Sequence, residues 1–488
     1  MSDPLGADDL TLLLGRWAAR RGPLYRSLAD RLRALVEEGA LAPDTWLPAE
    51  RRLAARLNVG RGTVVAAYDL LRDEGVLTRR RGSGTRVAHG PAPARSDGSP
   101  DTHHGSGFLA LFEPPAASLV LTCAAPDSPP PELLDGYREA VARVAGFSDD
   151  IGYHPVGHPD LRAAVAAWFT RRGLPTEADD ILVTNGAQQA LELLVRCRVA
   201  AGETVLAESP TYPGALALFG EAGARIRAVG TGPGGVDTEA LLEGMAARPA
   251  LTYLIPSFQN PTGTLMGPMD RRRVAAAAGA HGLLVVDDET MVELGFAADP
   301  PPPLASYPGG ERIVTVGSLS KLAWGGLRVG WIRARPPVMD RLRRAKTLAD
   351  AGGDVASQLA AAAVLRAPDA LVGRRTAELR RRHAHLTAEI DRRLPGWRYL
   401  PAVGGQTVWA RMPHGDAAAF AQVALRHGVA LLPGSALTPG GEPSPWLRLP
   451  FLAPEPTLSL AVRRIAAAWE RYGASGGLAD APRGAMAV

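Results

Sequence analysis

The sequence uses arginine almost wherever it needs a positive charge, because only two of its 54 Lys and Arg residues are lysines, Lys321 and Lys346. Arginine stays protonated in proteins and cannot act as an amine nucleophile, whereas lysine can. Lys321 follows a β-like run in VGSLSKLAWGGLRVGW, with Ser318 and Ser320 before it and Arg328 seven residues after it. An amine flanked by hydroxyls and a guanidinium is suited to forming a Schiff base with a carbonyl cofactor that also carries a phosphate.

Lys346 is the alternative amine. It lies in RLRRAKTLAD, a strongly basic run with a helical pattern. Such a run is typical of a solvated helix face. We therefore predict that Lys346 is a surface residue and that Lys321 is the nucleophile.

Four further loops carry groups that a flat, phosphorylated cofactor would need. Asn185-Gly186-Ala187 turns directly from a strand into a helix and presents unpaired N–H groups to an anion. Asp288 ends the apolar run LLVVDD and could pair with a ring nitrogen, while Asp287 would face the other side of the strand. One of these two aspartates could instead cap the following helix. Tyr212 in ESPTYPG could stack on the ring, and Asn260 in PSFQNPTG could donate to its phenolic oxygen.

These loops follow short β-like runs that alternate with helical patterns. Strand, helix, strand at this spacing predicts an α/β fold with a mostly parallel sheet covered on both faces. Ligands bind at the carboxyl ends of the strands in such sheets. The predicted strands are Ile181 to Gly186, Thr204 to Ser209, Leu251 to Pro256, Leu283 to Asp288 and Arg312 to Ser318.

Length and composition exclude several classes of protein. A chain of 488 residues has room for two or three domains, and its 46% hydrophobic and 21% charged residues exclude a disordered chain. No charge-free apolar run of about 18 residues occurs, and the N-terminus has no export pattern, so we expect a cytoplasmic protein without a membrane span. Cys123 and Cys197 are too few for a disulfide framework and lack metal-ligand spacing, which predicts no metal site.

A stretch rich in Pro, Gly, Ser and His, AHGPAPARSDGSPDTHHGSG, divides the chain. We predict an N-terminal domain at residues 1–87, a flexible linker at 88–118, a large domain at 119–475 and a disordered tail at 476–488. The first 90 residues carry 15 arginines against 11 acidic residues, which accounts for the whole net charge of +4. This asymmetry suggests a polyanionic partner for the N-terminal domain.

The N-terminal domain has the pattern of a helix-turn-helix. A first helix of about four turns begins near Leu24, a short helix follows Pro48, and a third helix runs from about Arg61 to Glu74. Arg61 and Thr63 begin the third helix and could reach base edges in a major groove. On the pattern alone, a protein-interaction module is the alternative.

A short β-ribbon is predicted after the third helix. Its tip carries Arg79, Arg80 and Arg81, which could lie along DNA phosphates or form a solvated turn. The stretch Leu47 to Val87, LPAERRLAARLNVGRGTVVAAYDLLRDEGVLTRRRGSGTRV, resembles the winged helix of GntR-type bacterial regulators. This resemblance implies that Gly60 replaces a serine usual in that family, with the loss of one phosphate contact. The residues that it matches to DNA contacts are Arg51, Arg61, Thr63 and Gly84.

From roughly Leu119 to Tyr472, the motifs together resemble the fold-type I aminotransferases, which bind pyridoxal 5′-phosphate (PLP) and have a smaller C-terminal α+β subdomain. The resemblance implies that Lys321 forms the Schiff base, Asp288 pairs with the ring nitrogen, Asn260 binds the ring oxygen and Tyr212 stacks on the ring. The phosphate would be bound by Gly186, Ala187, Gln188, Ser318, Ser320 and Arg328.

Three more positions follow from the same resemblance. Tyr153 in YHPVGHPDLR matches the tyrosine that reaches the partner subunit's phosphate, which implies a homodimer. Arg448 in WLRLPF matches the arginine that binds the α-carboxylate of an amino acid. Thr290 stands where related proteins usually have a tyrosine bonded to the ring oxygen. The threonine hydroxyl is shorter than the tyrosine side chain and extends less far toward the ring oxygen. The resemblance therefore implies cofactor binding more strongly than catalytic proton transfer.

The order of winged helix, linker and aminotransferase-like domain resembles the MocR regulators, a branch of the GntR family. The resemblance implies a transcription regulator that binds double-stranded operator DNA and senses PLP or an amino compound that condenses with it. A working PLP-dependent aminotransferase with an attached DNA-binding domain is the alternative. A non-catalytic scaffold is a third interpretation, and it requires that Lys321 stays unmodified.

Overall fold

The computed structural model describes residues 5–15, 17–19, 23–80, 84–88, 118–296 and 302–474. The predicted linker, except residues 88 and 118, and the predicted tail lie outside the described residues. Arg81 also lies outside them, and so does the side chain of Arg80. The proposed domain boundaries stay predictions.

The N-terminal domain combines helices with a small antiparallel sheet. Leucines at helical spacing, such as Leu28, Leu32 and Leu53, are fully buried and form one apolar cluster. Asn58 ends the second helix of the helix-turn-helix in the left-handed conformation, and Gly60 precedes the third helix without a side-chain cap. The predicted winged helix-turn-helix is confirmed. Its helices are Ala7–Leu14, Leu24–Glu37, Glu50–Leu57 and Arg61–Asp73, and its sheet has the spatial order Trp46–Leu47, Gly84–Val87, Leu77–Arg80.

The large domain contains an eight-stranded sheet. Its five central strands run parallel, and Gly330–Arg333 is antiparallel to both of its neighbours. Central strands such as Val285–Asp288 are buried on both faces. Their sequences accordingly stay apolar up to the carboxyl end of the strand, where the first polar residues occur. The spatial order is Ile181–Thr184, Gly330–Arg333, Ile313–Ser318, Val285–Asp288, Leu251–Leu254, Thr204–Ser209, Arg225–Gly232, Gly235–Val236.

Helices cover both faces of this sheet, with separate apolar clusters on the two sides. The predicted mostly parallel α/β fold is therefore confirmed. The helices of the large domain before residue 400 are Pro131–Val144, Pro159–Arg171, Ala187–Arg198, Pro213–Glu221, Thr238–Ala246, Pro268–His281, Val338–Asp350, Val355–Arg366 and Asp369–Arg393.

A second, five-stranded sheet forms the small subdomain, which we define as residues 398–474 together with the strand Leu119–Leu121. This strand pairs in parallel with Val429–Pro433, whereas the other pairs are antiparallel. The spatial order is Arg398–Tyr399, Thr407–Arg411, Trp446–Pro450, Val429–Pro433, Leu119–Leu121, and the covering helices are Ala417–Arg426 and Glu455–Ala474.

Within the described part of the chain, no single helix has the length and apolar character needed to span a membrane. The bent pair Val355–Arg366 and Asp369–Arg393, with 83° between the two helices, meets those criteria only when taken together.

Candidate functional site

Lys321 lies in the turn that follows the central strand Ile313–Ser318, at the carboxyl edge of the large sheet. Its Nζ donates a hydrogen bond to the carbonyl of Ala124 at 2.6 Å, and Gln406 Nε2 donates to the carbonyl of Lys321 at 3.0 Å. Ala124 follows a strand of the small subdomain, and Gln406 precedes another. The amine is therefore placed between the large sheet and the small subdomain.

Asp288 ends the neighbouring strand and is almost fully buried. Its carboxylate accepts hydrogen bonds from Tyr253 Oη at 2.6 Å and from the backbone N–H of Thr290 at 3.0 Å. Burial raises the pKa of Asp288, although these hydrogen bonds and the nearby charge of Lys321 act in the opposite direction. Asp287 faces the other way, where its carboxylate accepts from the backbone of Leu304 at 3.0 Å. Asp288 is thus the aspartate on the Lys321 side of the sheet.

The turn of residues 185–188, which we call the phosphate turn, begins the helix Ala187–Arg198. Arg328, in the left-handed conformation with φ 54°, donates through Nη2 to the carbonyl of Asn185 at 2.6 Å. Gly186 has φ 82°, and a Cβ there would lie 3.0 Å from Arg328 Nη2. Glycine at this position lets the guanidinium approach the backbone N–H groups that begin the helix.

Ser318 and Ser320 are also neighbours at this edge. Their hydroxyls lie 2.8 Å apart, and Ser318 Oγ accepts from the backbone N–H of Ser320 at 3.1 Å. Gln188 donates through Nε2 to the carbonyl of Gly214 at 3.1 Å, so that this side chain joins the phosphate turn to the loop of Tyr212.

Arg448 and Asn260 face each other across the boundary between the large sheet and the small subdomain. Arg448 Nη1 donates to Asn260 Oδ1 at 3.3 Å, and Nη2 donates to the carbonyl of Thr122. Burial lowers the pKa of Arg448 to about 10. Its Nε has no hydrogen-bond partner among the described residues, which leaves a donor for an anionic group. Tyr212 precedes the helix Pro213–Glu221, and burial raises the pKa of its phenol.

Tyr153 and Lys346, both named in the sequence analysis, lie in different environments in the structure. Tyr153 is 70% exposed and has no described contact with Lys321. Its role at the partner's site stays a prediction. The prediction that Lys346 is a surface residue is wrong, because Lys346 is only 1% exposed and its Nζ contacts Asp350 Oδ1 at 2.5 Å. The charges of neighbouring arginines suggested a solvated face, but this lysine points into the protein on the buried side of the helix.

The described residues that are predicted to contact DNA lie in the helix-turn-helix and the ribbon of the N-terminal domain. Arg51 and Arg61 are exposed, and Thr63 is half-buried in the first turn of the third helix. Arg79 is exposed and forms an ion pair of 3.2 Å with Glu50. Gly84 has φ 101° at the start of the last ribbon strand, a conformation that favours glycine.

Two family models divide the chain in the same way as the fold. Bacterial regulatory proteins of the gntR family match residues 24–87, and aminotransferases of class I and II match residues 130–465. The HTH-type transcriptional regulator TauR of Rhodobacter capsulatus is 31% identical over 439 residues, which cover 84% of this chain and 89% of TauR. The probable rhizopine catabolism regulatory protein MocR of Rhizobium meliloti is 32% identical over 66% of this chain and 67% of that protein. The chain belongs to the MocR-type regulators of the GntR family.

A solved structure agrees with this assignment. LysN, an α-aminoadipate aminotransferase from Thermus thermophilus crystallised with N-(5′-phosphopyridoxyl)-L-leucine, is 33% identical, with a TM-score of 0.66 over 72% of this chain and 92% of LysN. The large domain of this MocR-type regulator thus has the fold-type I architecture, and PLP is the cofactor of that class. The protein is a DNA-binding transcription regulator.

The residues of this MocR-type regulator fit PLP. The phosphate turn leaves its helix N-terminus open because Gly186 has no side chain, and Arg328 supplies a cation beside it. Asp288 is a buried carboxylate without an ion pair among the described residues, as a protonated ring nitrogen requires. Lys321 supplies the amine on the same edge of the sheet.

Asp150, His154 and His158 bring potential metal-ligand atoms within 4.8 Å of one another. His154 Nε2 pairs with Asp150 Oδ2 at 3.0 Å, and His158 Nδ1 accepts from the backbone N–H of Asp160 at 3.2 Å. When Nδ1 accepts, the proton of a neutral imidazole is on Nε2, which is then a donor and not a metal ligand. We therefore assign a hydrogen bond between His154 and Asp150 and a helix cap by His158 to this group.

Sequence reasoning missed three groups of this site. The carbonyl of Ala124 and the phenol of Tyr253 lie more than 30 residues in sequence from the groups that they contact, and no local motif marks them. Asp350 could have been found, because it lies four residues after Lys346 on a helical pattern, the spacing of an ion pair.

Attachment of PLP to this regulator should remain efficient at lower pH than for an ordinary lysine. Burial lowers the pKa of Lys321, and the positive charges of Arg448 and Arg328 lower it further. Cys123 and Asp288 raise this pKa, but the net shift is downward. A lower pKa leaves more of the amine unprotonated near neutral pH, and only that form attacks an aldehyde. The rate of PLP attachment, measured against pH by absorbance, should reveal an apparent pKa below about 10.4, the ordinary value for lysine. An apparent pKa at or above that value would contradict the expectation.

Proposed function

We propose that this regulator holds PLP at Lys321, that an amino compound takes the place of the lysine, and that the exchange changes how a homodimer binds operator DNA in the cytoplasm. The observation that carries this proposal is a described contact between the DNA-binding domain and the small subdomain. That contact joins the domain that binds DNA to the domain that would bind PLP.

The contact is centred on Arg56, in the helix Glu50–Leu57 of the helix-turn-helix. Its guanidinium pairs with Asp8 and, at 3.2 Å, with Asp416 of the small subdomain. Asp416 caps the helix Ala417–Arg426 by accepting from the backbone N–H of Ala419 at 3.0 Å. The N-terminal domain therefore rests on the first turn of one specific helix.

Two further hydrogen bonds extend the contact along that helix. Gln422 Nε2 donates to the carbonyl of Gly15, and Arg426 Nη2 donates to the carbonyl of Asn58, each at 3.2 Å. Asn58 ends the helix that precedes the DNA-reading helix. Arg61 stays exposed, so the domain can read DNA while it is docked.

When bound, PLP supplies an aldehyde carbon that can exchange one amine for another and a ring that withdraws electrons. In this structure, Lys321 Nζ donates a hydrogen bond to the carbonyl of Ala124. That carbonyl follows the strand Leu119–Leu121, which pairs with Val429–Pro433, the strand directly after the docked helix. A change at Lys321 can therefore be transmitted to the DNA-binding domain through one hydrogen bond, one strand pairing and the docked helix.

Arg448 would bind the carboxylate of the amino compound. Its Nε is an unused donor, and its guanidinium already lies beside Asn260. A planar guanidinium binds a carboxylate with two parallel hydrogen bonds. We therefore infer that the effector carries both an amine and a carboxylate.

A homodimer is supported by exposed apolar side chains near Tyr153. Ile151 is 86% exposed, and the other members, on the helix Pro131–Val144 or just after it, are Leu134, Val141, Val144 and Phe147. Such a patch is typical of an interface. A cavity of about 170 Å³ lies beside Arg328 and Asn185, and we propose that it receives the partner subunit's Tyr153.

DNA binding and turnover distinguish the regulator from the alternative, a working aminotransferase with a DNA-binding domain. We expect the holoprotein to bind a fragment from upstream of its own gene, and an amino-acid panel to include one compound that changes the dissociation constant about fivefold or more. Sustained transamination near 1 s⁻¹ or faster, with no amino compound changing DNA affinity, would favour the enzyme instead.

Arg56→Glu should separate sensing from binding. The new carboxylate would face Asp8 and Asp416, so the domains would part without loss of either site. We expect PLP affinity and effector-free DNA affinity within twofold of wild type, and an effector response reduced below twofold. Arg463→Glu, a matched reversal of an exposed arginine on the helix Glu455–Ala474, should keep the response. A full response in Arg56→Glu would contradict the proposed route.

A further inference from the structure

Lys346 is the second lysine of a chain that otherwise uses arginine. It is buried on the helix Val338–Asp350, and its ion-pair partner Asp350, on the same helix, is half-buried. Taking the lysine fully and the carboxylate partly out of water costs free energy, and replacing a buried ion pair by apolar side chains is often neutral or stabilising. The pair therefore needs an explanation other than stability, and its neighbours supply one.

Asp350 connects the lysine to the phosphate turn. Its Oδ1 accepts from Lys346 Nζ at 2.5 Å and from the backbone N–H of Gly352 at 3.1 Å. Its Oδ2 accepts from Asn185 Nδ2 at 3.0 Å and from Gln189 Nε2 at 2.8 Å. Both carboxylate oxygens are thus used, one toward its own helix and one toward the turn.

Asn185 is held on every side by these contacts. Its backbone N–H donates to Gln189 Oε1 at 2.8 Å, and its carbonyl accepts from Arg328 at 2.6 Å. A Cβ at Gly353 would lie 3.0 Å from Asn185 Oδ1, so the loop after Asp350 also packs against this side chain. The next residue, Gly186, is the N-cap of the helix Ala187–Arg198, whose first N–H groups face the phosphate site.

We propose that Lys346 and Asp350 are positioning residues, which hold Asn185 so that the N–H groups of the phosphate turn are aimed at the cofactor phosphate. This inference rests on the proposed binding of PLP. Lys346 orients Asp350, Asp350 orients Asn185 and Gln189, and neither charged group contacts the phosphate itself. Hydrogen bonds from Lys346 and Gln189 outweigh the burial of Asp350 and lower its pKa, so the carboxylate stays ionised as this role requires.

The test compares PLP with pyridoxal, which has the same aldehyde and ring but no phosphate. Asp350→Asn is nearly isosteric and weakens the acceptor, and Lys346→Met removes the amine that orients it. For both variants we expect the dissociation constant for PLP, measured by absorbance titration of the apoprotein, to rise about tenfold. The constant for pyridoxal should change less than twofold. Arg344→Met, which removes an exposed cation from the same helix, should alter neither.

The paired variants also separate positioning from simple attraction between charges. If Lys346 acted only through its charge, Asp350→Asn would strengthen PLP binding, because it removes a negative charge near the phosphate. That result, or equal losses for PLP and pyridoxal, would overturn the proposal. A wild-type protein that binds neither aldehyde would instead refute the proposed cofactor function. Thermal melting of each apoprotein shows that the compared variants are folded, and Asp350→Asn alone suffices if Lys346→Met does not fold.

Discussion

In the Lys321→Ala variant, the visible absorbance that PLP acquires on binding to the wild-type protein should be absent. No other lysine can replace Lys321, because the only other one is Lys346, which is buried and paired with Asp350. The expected loss is therefore complete and not partial. Borohydride reduction of the wild-type complex, followed by peptide mass mapping, should place the cofactor on residue 321.

The same variant should keep its fold and its DNA-binding domain. Lys321 donates one hydrogen bond to Ala124, and a single hydrogen bond contributes about 1–3 kcal/mol, so the melting temperature should change by a few degrees at most. Binding to upstream DNA without effector should persist. Absorbance that survives in Lys321→Ala would show that PLP is bound by another group and would remove the basis of the proposed sensing.

The second large effect is expected from Arg61→Ala. Arg61 is exposed at the first residue of the DNA-reading helix, where a side chain can enter a major groove. Loss of a bidentate arginine contact to a base costs about 1–3 kcal/mol, which corresponds to a fall in affinity of about 5-fold to 150-fold. Fluorescence anisotropy with labelled upstream DNA at constant salt measures this change, and the PLP spectrum should be unchanged.

Arg72→Ala is the matched control on the same helix. Arg72 lies at the opposite end and pairs with Asp69 at 2.7 Å and Asp73 at 3.3 Å, so its charge is already compensated. We expect wild-type DNA affinity in this variant. Equal losses for Arg61→Ala and Arg72→Ala would indicate a general effect of positive charge and would exclude base reading by Arg61.

Five of the eight strands of the large sheet were predicted from the sequence, because buried parallel strands are continuous apolar runs. Thr204–Ser209 has the predicted bounds, whereas Val285–Asp288 begins two residues later than predicted. Leu283 donates its N–H to the carbonyl of Ala278 and so completes the preceding helix end. Local capping, which competes with strand pairing for the same N–H group, decides such boundaries.

The ion pair between the buried Lys346 and Asp350 was not predictable in the same way. Lysine scarcity drew attention to Lys346, but its basic neighbours indicated a solvated helix face. The face that a helix buries depends on what packs against it, and Asn185, which Asp350 contacts, lies 165 residues earlier in the chain. No periodicity within one helix contains that information.

The sequence by itself determined the two families of motif and their order, and it predicts Lys321 as the reactive amine, because each of these depends on local residue types and on the scarcity of lysine. Only the tertiary structure decided that Asp288 accepts a hydrogen bond from Tyr253, that Asp350 connects Lys346 to the phosphate turn, and that Arg56 joins the DNA-binding domain to the small subdomain. These facts depend on contacts between residues far apart in sequence. Packing of whole elements creates such contacts, and no short stretch of the chain encodes them.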